Sequence, residues 1–121
     1  MALRLNRIVL YARNVAGIVD FYERHFGFEA HRQEGDRIVE LICPNGGANL
    51  LIHQAGKAQK VGQSAVKLVL DVEDVEAFRE ACAKNGLNFG PLHQADGYVF
   101  ANARDPNGNS ISISSRAYRG K

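Results

Sequence analysis

Two stretches of this chain are written twice at a spacing of about sixty residues, and that repetition restricts the fold more than any other feature. Leu10-Tyr11-Ala12-Arg13-Asn14-Val15 is echoed by Leu70-Asp71-Val72-Glu73-Asp74-Val75, and Pro44-Asn45-Gly46 is echoed by Pro106-Asn107-Gly108. A half-length unit cannot bury its own sheet, so 121 residues built this way imply one domain made of two like modules.

The elements follow in parallel. Arg4 to Tyr11 reads as a strand. Asn14 then caps a helix whose apolar stripe is Val15, Ile18, Val19, Tyr22 and Phe26, and Gly27 stops it with a left-handed residue. In the second copy Ala65 to Asp71 is the strand, Asp74 the cap, Val75, Phe78 and Cys82 the stripe, and Gly86 the stop. The pattern then changes to period two. Strands are expected at Phe28 to Gln33, Arg37 to Cys43 and Asn49 to Gln54, and again at Phe89 to Gln94, Tyr98 to Arg104 and Ser110 to Ser115. Pro44-Asn45-Gly46-Gly47 and Asp105-Pro106-Asn107-Gly108 supply the turns, because proline presets φ and Asn and Gly tolerate positive φ. The expectation is an α+β chain of two βαβββ modules, residues 3–55 and 65–116, joined by a Gly-, Lys- and Gln-rich connector at residues 56–64.

Composition excludes several classes. Fifteen Lys and Arg against thirteen Asp and Glu are scattered along the chain, so no basic footprint for nucleic acid is present. No apolar run approaches the roughly eighteen residues of a membrane span, and the first residues lack a signal-peptide core, which reads as a soluble cytoplasmic protein. Cys43 and Cys82 have no metal-site spacing and are expected to be reduced thiols.

Two βαβββ modules, with the "FYxxxFGF" run from Phe21 to Phe28 and the "DPNGNxIxI" run from Asp105 to Ile113, resemble the vicinal oxygen chelate superfamily. This superfamily holds glyoxalase I, bleomycin and fosfomycin resistance proteins, extradiol dioxygenases and methylmalonyl-CoA epimerase. The resemblance covers essentially the whole chain. It implies curved mixed sheets around a ligand cavity, and a homodimer in which that cavity is completed within one chain or across two. Its metal enzymes take one ligand, usually His or Gln, from the first strand of each module and one, usually Glu, from each last strand. Counted from Asp20-Phe21-Tyr22, Asn85-Gly86 and the two Pro-Asn-Gly turns, these positions fall on Arg7, Lys67, Leu51 and Ser112. None is a deprotonated donor, so no metal cofactor is expected.

Carrying over the family's facing, alternation puts Arg7, Val9 and Tyr11, Asn49, Leu51 and His53, Lys67, Val69 and Asp71, and Ser110, Ser112 and Ser114 on the cavity side. The intervening Ile8, Leu10, Leu50, Ile52, Val66, Leu68, Leu70, Ile111 and Ile113 are aliphatic, as a face beneath helices requires. Two readings of the cations stand side by side. Arg7 and Lys67 could give an anionic ligand the attraction a metal would have given, with Tyr11, Asn49 and Ser112 orienting it, or they could pair with Asp71, Glu40 or a partner's carboxylate. Tyr98 and Phe100 alternate where they could wall a pocket or pack in a core. His53 is the weak catalytic candidate, a base or ligand with Asp71 and Glu40 as company. His25 fits a cation at a helix C-terminus, His31 an exposed strand position, and His93 stands in no motif. No nucleophile is placed by spacing.

The preferred function is metal-independent binding of a small, possibly anionic molecule, as in the bleomycin-resistance branch. The rival is a glyoxalase- or dioxygenase-type enzyme with a shifted or metal-free site, and the third reading is a ligand-less dimerisation module.

Overall fold

The computed structural model describes residues 2–120, and the chain divides into two compact units between Val61 and Gly62, inside the expected connector. The first unit contains β1 (Arg7–Ala12), α1 (Val15–Phe26), β2 (Glu29–His31), β3 (Val39–Ile42) and β4 (Asn49–Gln54). The second contains β5 (Lys67–Asp71), α2 (Val75–Lys84), β6 (His93–Gln94), β7 (Val99–Arg104) and β8 (Ser110–Ser114). Each unit builds an open four-stranded mixed sheet. Strand order is β1-β4-β3-β2 in one and β5-β8-β7-β6 in the other, with the outer pairs β1/β4 and β5/β8 parallel and the rest antiparallel. No helix among the described residues is long and apolar enough to cross a membrane.

Both helices are delimited by the expected residues. The Asn14 and Asp74 carboxamide and carboxylate oxygens each accept from the backbone N–H three residues on, at 3.0 Å, satisfying an otherwise unpaired first-turn donor. At the other ends Gly27 and Gly86 take φ of 73° and 88°, and the following Phe28 and Leu87 N–H groups reach back to Tyr22 and Cys82 carbonyls. The second turn is tied by Asp105, whose carboxylate accepts from the Asn107 and Asn109 N–H groups and the Asn109 side chain, each at 2.9 Å. Gly62 lies so close to this turn that a Cβ there would stand 2.6 Å from the Asn107 carbonyl oxygen.

Strand lengths differ from the expectation where a partner runs out. β1 starts at Arg7 rather than Arg4 because β4, its parallel partner, starts at Asn49; Leu3 and Leu5 are left 87% exposed. Val66, expected on the packed face, precedes the Lys67↔Ser110 pair and is exposed. β6 shrinks to two residues. Gly90 donates to the Asn102 carbonyl, but Pro91 has no N–H to continue the ladder. The Pro44–Gly46 turn closes as a single 3-10 turn with Asn45 at φ 62°.

One face of each sheet packs on its own unit's helix. Leu41, Leu50 and Ile52 are buried with Ile18, Val19, Tyr22 and Phe26, and Ala101, Ile111 and Ile113 are buried in the unit that buries Val75 and Cys82 of α2. Replacing Ile113, which is fully buried, by Ala is expected to cost about 2–5 kcal/mol, and Asp74→Ala about 1 kcal/mol, read from urea midpoints at unchanged slope.

His25 departs from the expected capping cation. Its ring packs edge-on against Phe21 at 4.9 Å, and its Nδ1 is buried with no hydrogen-bond partner among the described residues. Burial first, then the charge of Arg24, push its pKa below the ordinary value near 6.5, while Asp20 opposes them. The unfolded chain therefore binds more protons as pH falls below about 6.5, and stability is lost from there through the lower folded-state pKa. Stability carried by this group is flat above that range. The His25→Leu variant is expected to lose part of the acid-side slope, measured as urea midpoints between about pH 7.5 and about pH 5.

Candidate ligand-binding faces

The other face of each sheet collects the polar residues named from alternation, and register states which of them are neighbours. In the first unit Arg7 stands opposite Asn49, Val9 opposite Leu51 and Tyr11 opposite His53, with Glu40 opposite Leu51 on the far side. Arg7 donates from Nε to the Glu40 carboxylate at 3.2 Å, and Asn49 donates to the same oxygen at 3.4 Å. Asn49 also accepts from the Cys43 N–H at 2.8 Å. The Arg7 guanidinium is thus neutralised within its own sheet, and Asn49 is committed to the backbone and to Glu40. Leu51, two residues along β4 and opposite Val9 and Glu40, offers no polar side-chain atom.

His53 sits against Tyr11, with ring centroids 5.4 Å apart, and its Nδ1 meets the Gln54 carbonyl at 2.9 Å. A carbonyl only accepts, so Nδ1 carries the proton and Nε2 is the accepting nitrogen of the neutral ring. Glu40 shares this face but is taken up by Arg7 and Asn49. His31, exposed as expected, pairs with Glu29 at 3.1 Å.

The second unit arranges the same backbone with different chemistry. Lys67 pairs in register with Ser110, Val69 with Ser112 and Asp71 with Ser114; across β8, Asn102 stands opposite Ser112 and Phe100 opposite Ser114. Lys67 Nζ donates to Asn102 Oδ1 at 3.0 Å. Since β8 lies between their strands, this bond spans the strand, and the short serine side chains let the lysine stem cross it. Ser112 is 2% exposed, and its hydroxyl donates to the Ala101 carbonyl at 3.0 Å, so its hydrogen is already spent inside the sheet. Asp71 is exposed at the far end of β5. Among the described residues Lys67 has no carboxylate within ion-pairing distance.

Aromatic rings line the neighbouring strands. His93 stacks on its cross-strand partner Phe100, with centroids 5.0 Å apart and planes 30° apart, and Tyr98 lies 6.2 Å from Phe100. Lys67 Nζ stands 6.0 Å from the Phe100 centroid. Arg116 donates to the Tyr98 hydroxyl at 3.0 Å, and the Arg116 and Arg119 guanidinium carbons lie 5.3 and 5.7 Å from the Tyr98 ring. Asn102, His93, Arg116 and Arg119 were not singled out from sequence. Asn102 and Arg104 continue the Tyr98, Phe100 alternation, a signal that was available; the place of His93 depends on a two-residue pairing that no motif announces.

Among the described residues no three of His, Cys, Asp and Glu converge on one point. The thiols of Cys43 and Cys82 are unpaired, and burial pushes both upward in pKa, so neither is primed as a thiolate ligand.

The geometry agrees with comparisons to known proteins. The fold is shared with UcmS2 (TM-score 0.79, 18% identity, 95% of this chain and 99% of that one). It is shared also with TnmS3, an antibiotic binding protein from Streptomyces sp. CB03234 (TM-score 0.78, 19% identity, 93% and 96%). A third likeness is to lactoylglutathione lyase from Agrobacterium tumefaciens (TM-score 0.73, 20% identity, 98% and 97%). No curated protein matches the chain significantly by sequence. The family model of the Glyoxalase/Bleomycin resistance protein/Dioxygenase superfamily matches residues 4–113, and the chain belongs to that superfamily.

Proposed function

We propose that this chain binds a small anionic molecule without a resident divalent metal, on the face of the second sheet where Lys67 stands. The observation that carries the reading is the state of Lys67, an ammonium held across β8 by neutral Asn102 with no carboxylate within ion-pairing distance among the described residues. The four positions that the family's metal enzymes use hold a paired guanidinium, an isobutyl group, an ammonium and a hydroxyl whose proton is given to a carbonyl. Such a set does not fit a divalent cation, which needs converging deprotonated donors. An anion supplies what the Asn102 carboxamide lacks, a full opposite charge, so that Coulomb attraction adds to the hydrogen bond the ammonium donates. The printed description of TnmS3 as an antibiotic binding protein supports small-molecule binding on this fold without naming a ligand for this chain.

The two cations differ in what they support. The Arg7–Glu40 ion pair supports the pairing alternative for Arg7, and the Lys67–Asn102 bond, with no carboxylate near it among the described residues, supports the ligand alternative for Lys67. Titration calorimetry with a panel of small carboxylates and phosphonates is expected to find a binder whose affinity falls about tenfold in Lys67→Met and changes little in Arg7→Met. Affinity unchanged by Lys67→Met contradicts the reading, as does stoichiometric Zn, Ni, Mn or Fe retained by protein purified without chelator. The homodimer implied by the family belongs to the same proposal, and sedimentation giving the mass of one chain at every concentration contradicts that part.

A further inference from the structure

Three rings, His93 on β6, Phe100 on β7 and Tyr98 just before β7, lie next to one another, with the Lys67 ammonium at Phe100 and two guanidinium groups at Tyr98. Phe100 carries His93 on one side and the Lys67 ammonium near its ring on the other. Tyr98, which precedes β7 with its ring 6.2 Å from Phe100, has the Arg116 and Arg119 guanidinium groups beside it. Neither arginine has an acidic partner among the described residues. A lone lysine on a sheet attracts any anion equally. A lysine suspended over a phenyl ring prefers an anion that also offers a flat π surface, since stacking adds to the charge contact.

Resting on the binding reading above, we infer that this face takes a planar aromatic acid, its ring stacked on the Phe100 and His93 row and its acidic group on Lys67 in place of Asn102. The occupant's charge follows from the surroundings. Three cations oppose an aromatic cation, and of the residues in register on this face only Asp71 is acidic. Asn102 is a positioning residue in this account. It holds the ammonium over the sheet when no ligand is present and is released when the acid binds.

The test uses the full chain and three probes of related size: 2-naphthoate, decahydro-2-naphthoate and 2-naphthalenemethanol. Calorimetry is expected to rank 2-naphthoate above decahydro-2-naphthoate by about threefold to tenfold, the amount that ring stacking contributes. Phe100→Leu and His93→Ala should each shrink that ratio, and Lys67→Met should bring 2-naphthoate down to the affinity of the neutral alcohol. Because Phe100→Leu also touches packing, the wild-type protein provides a second readout. The His93 ring-proton NMR signals should show the ring-current shift of a stacked ligand on adding 2-naphthoate and lack it with decahydro-2-naphthoate. Equal affinity for the two acids, with Lys67 dependence retained and no ring-current shift at His93, overturns the aromatic class while leaving the anion reading intact. Absence of Lys67-dependent binding for either acid overturns both.

Discussion

Parallel pairing between the first and last strand of each unit is the constraint on which everything else rests. With β1 and β4 in register from Arg7↔Asn49 to Ala12↔Gln54, and β5 and β8 from Lys67↔Ser110 to Asp71↔Ser114, side chains sort strictly between two faces. Leu50, Ile52, Ile111 and Ile113 go to the helix side, where all are buried. A slip by one residue would turn those aliphatic chains to the opposite face and bring Arg7, His53 and Lys67 beneath the helices. Each buried aliphatic contributes about 1.5–3 kcal/mol, so register is held by the same residues that place the polar face.

One backbone plan, used twice, carries unequal chemistry. In the first unit the cation at the start of the sheet is answered by Glu40, and the last strand presents Leu51. In the second the cation is answered, among the described residues, by a carboxamide, and the last strand presents serines short enough for the lysine stem to lie across them. The difference is one of charge balance rather than of fold. A surface ion pair such as Arg7 with Glu40 contributes about 0–1 kcal/mol to stability, so its main effect is to remove a positive charge from the face. Lys67 keeps its charge available.

The repeat, the caps and the stops were legible because each is a local physical demand. Asn14 and Asp74 accept first-turn N–H groups, and Gly27 and Gly86 adopt the positive φ that ends a helix. The serine-isoleucine alternation of the last strand was legible too, since period two announces both faces at once. Strand ends were not. Arg4 to Asn6 and Phe89 to Pro91 look as extended as their neighbours, and only the length of a partner strand or a missing proline N–H decides where pairing stops. The candidate site was half legible. Arg7, His53 and Lys67 are reached by alternation once the resemblance supplies the facing, but the partners that hold them, Glu40, the Gln54 carbonyl and Asn102, depend on cross-strand register and side-chain reach. Ser112 shows the converse, correctly faced by alternation and yet bonded inward to Ala101.

The central claim is that charge on the polar face of the second sheet replaces what a metal does elsewhere in the superfamily. Its most direct measurement is the dissociation constant of a bound carboxylate, determined by equilibrium dialysis first in excess EDTA and then in saturating Zn²⁺ or Mn²⁺. The account predicts constants that agree within about twofold, because Lys67 is the partner in both cases. Binding that disappears in EDTA and returns with one equivalent of cation would contradict it.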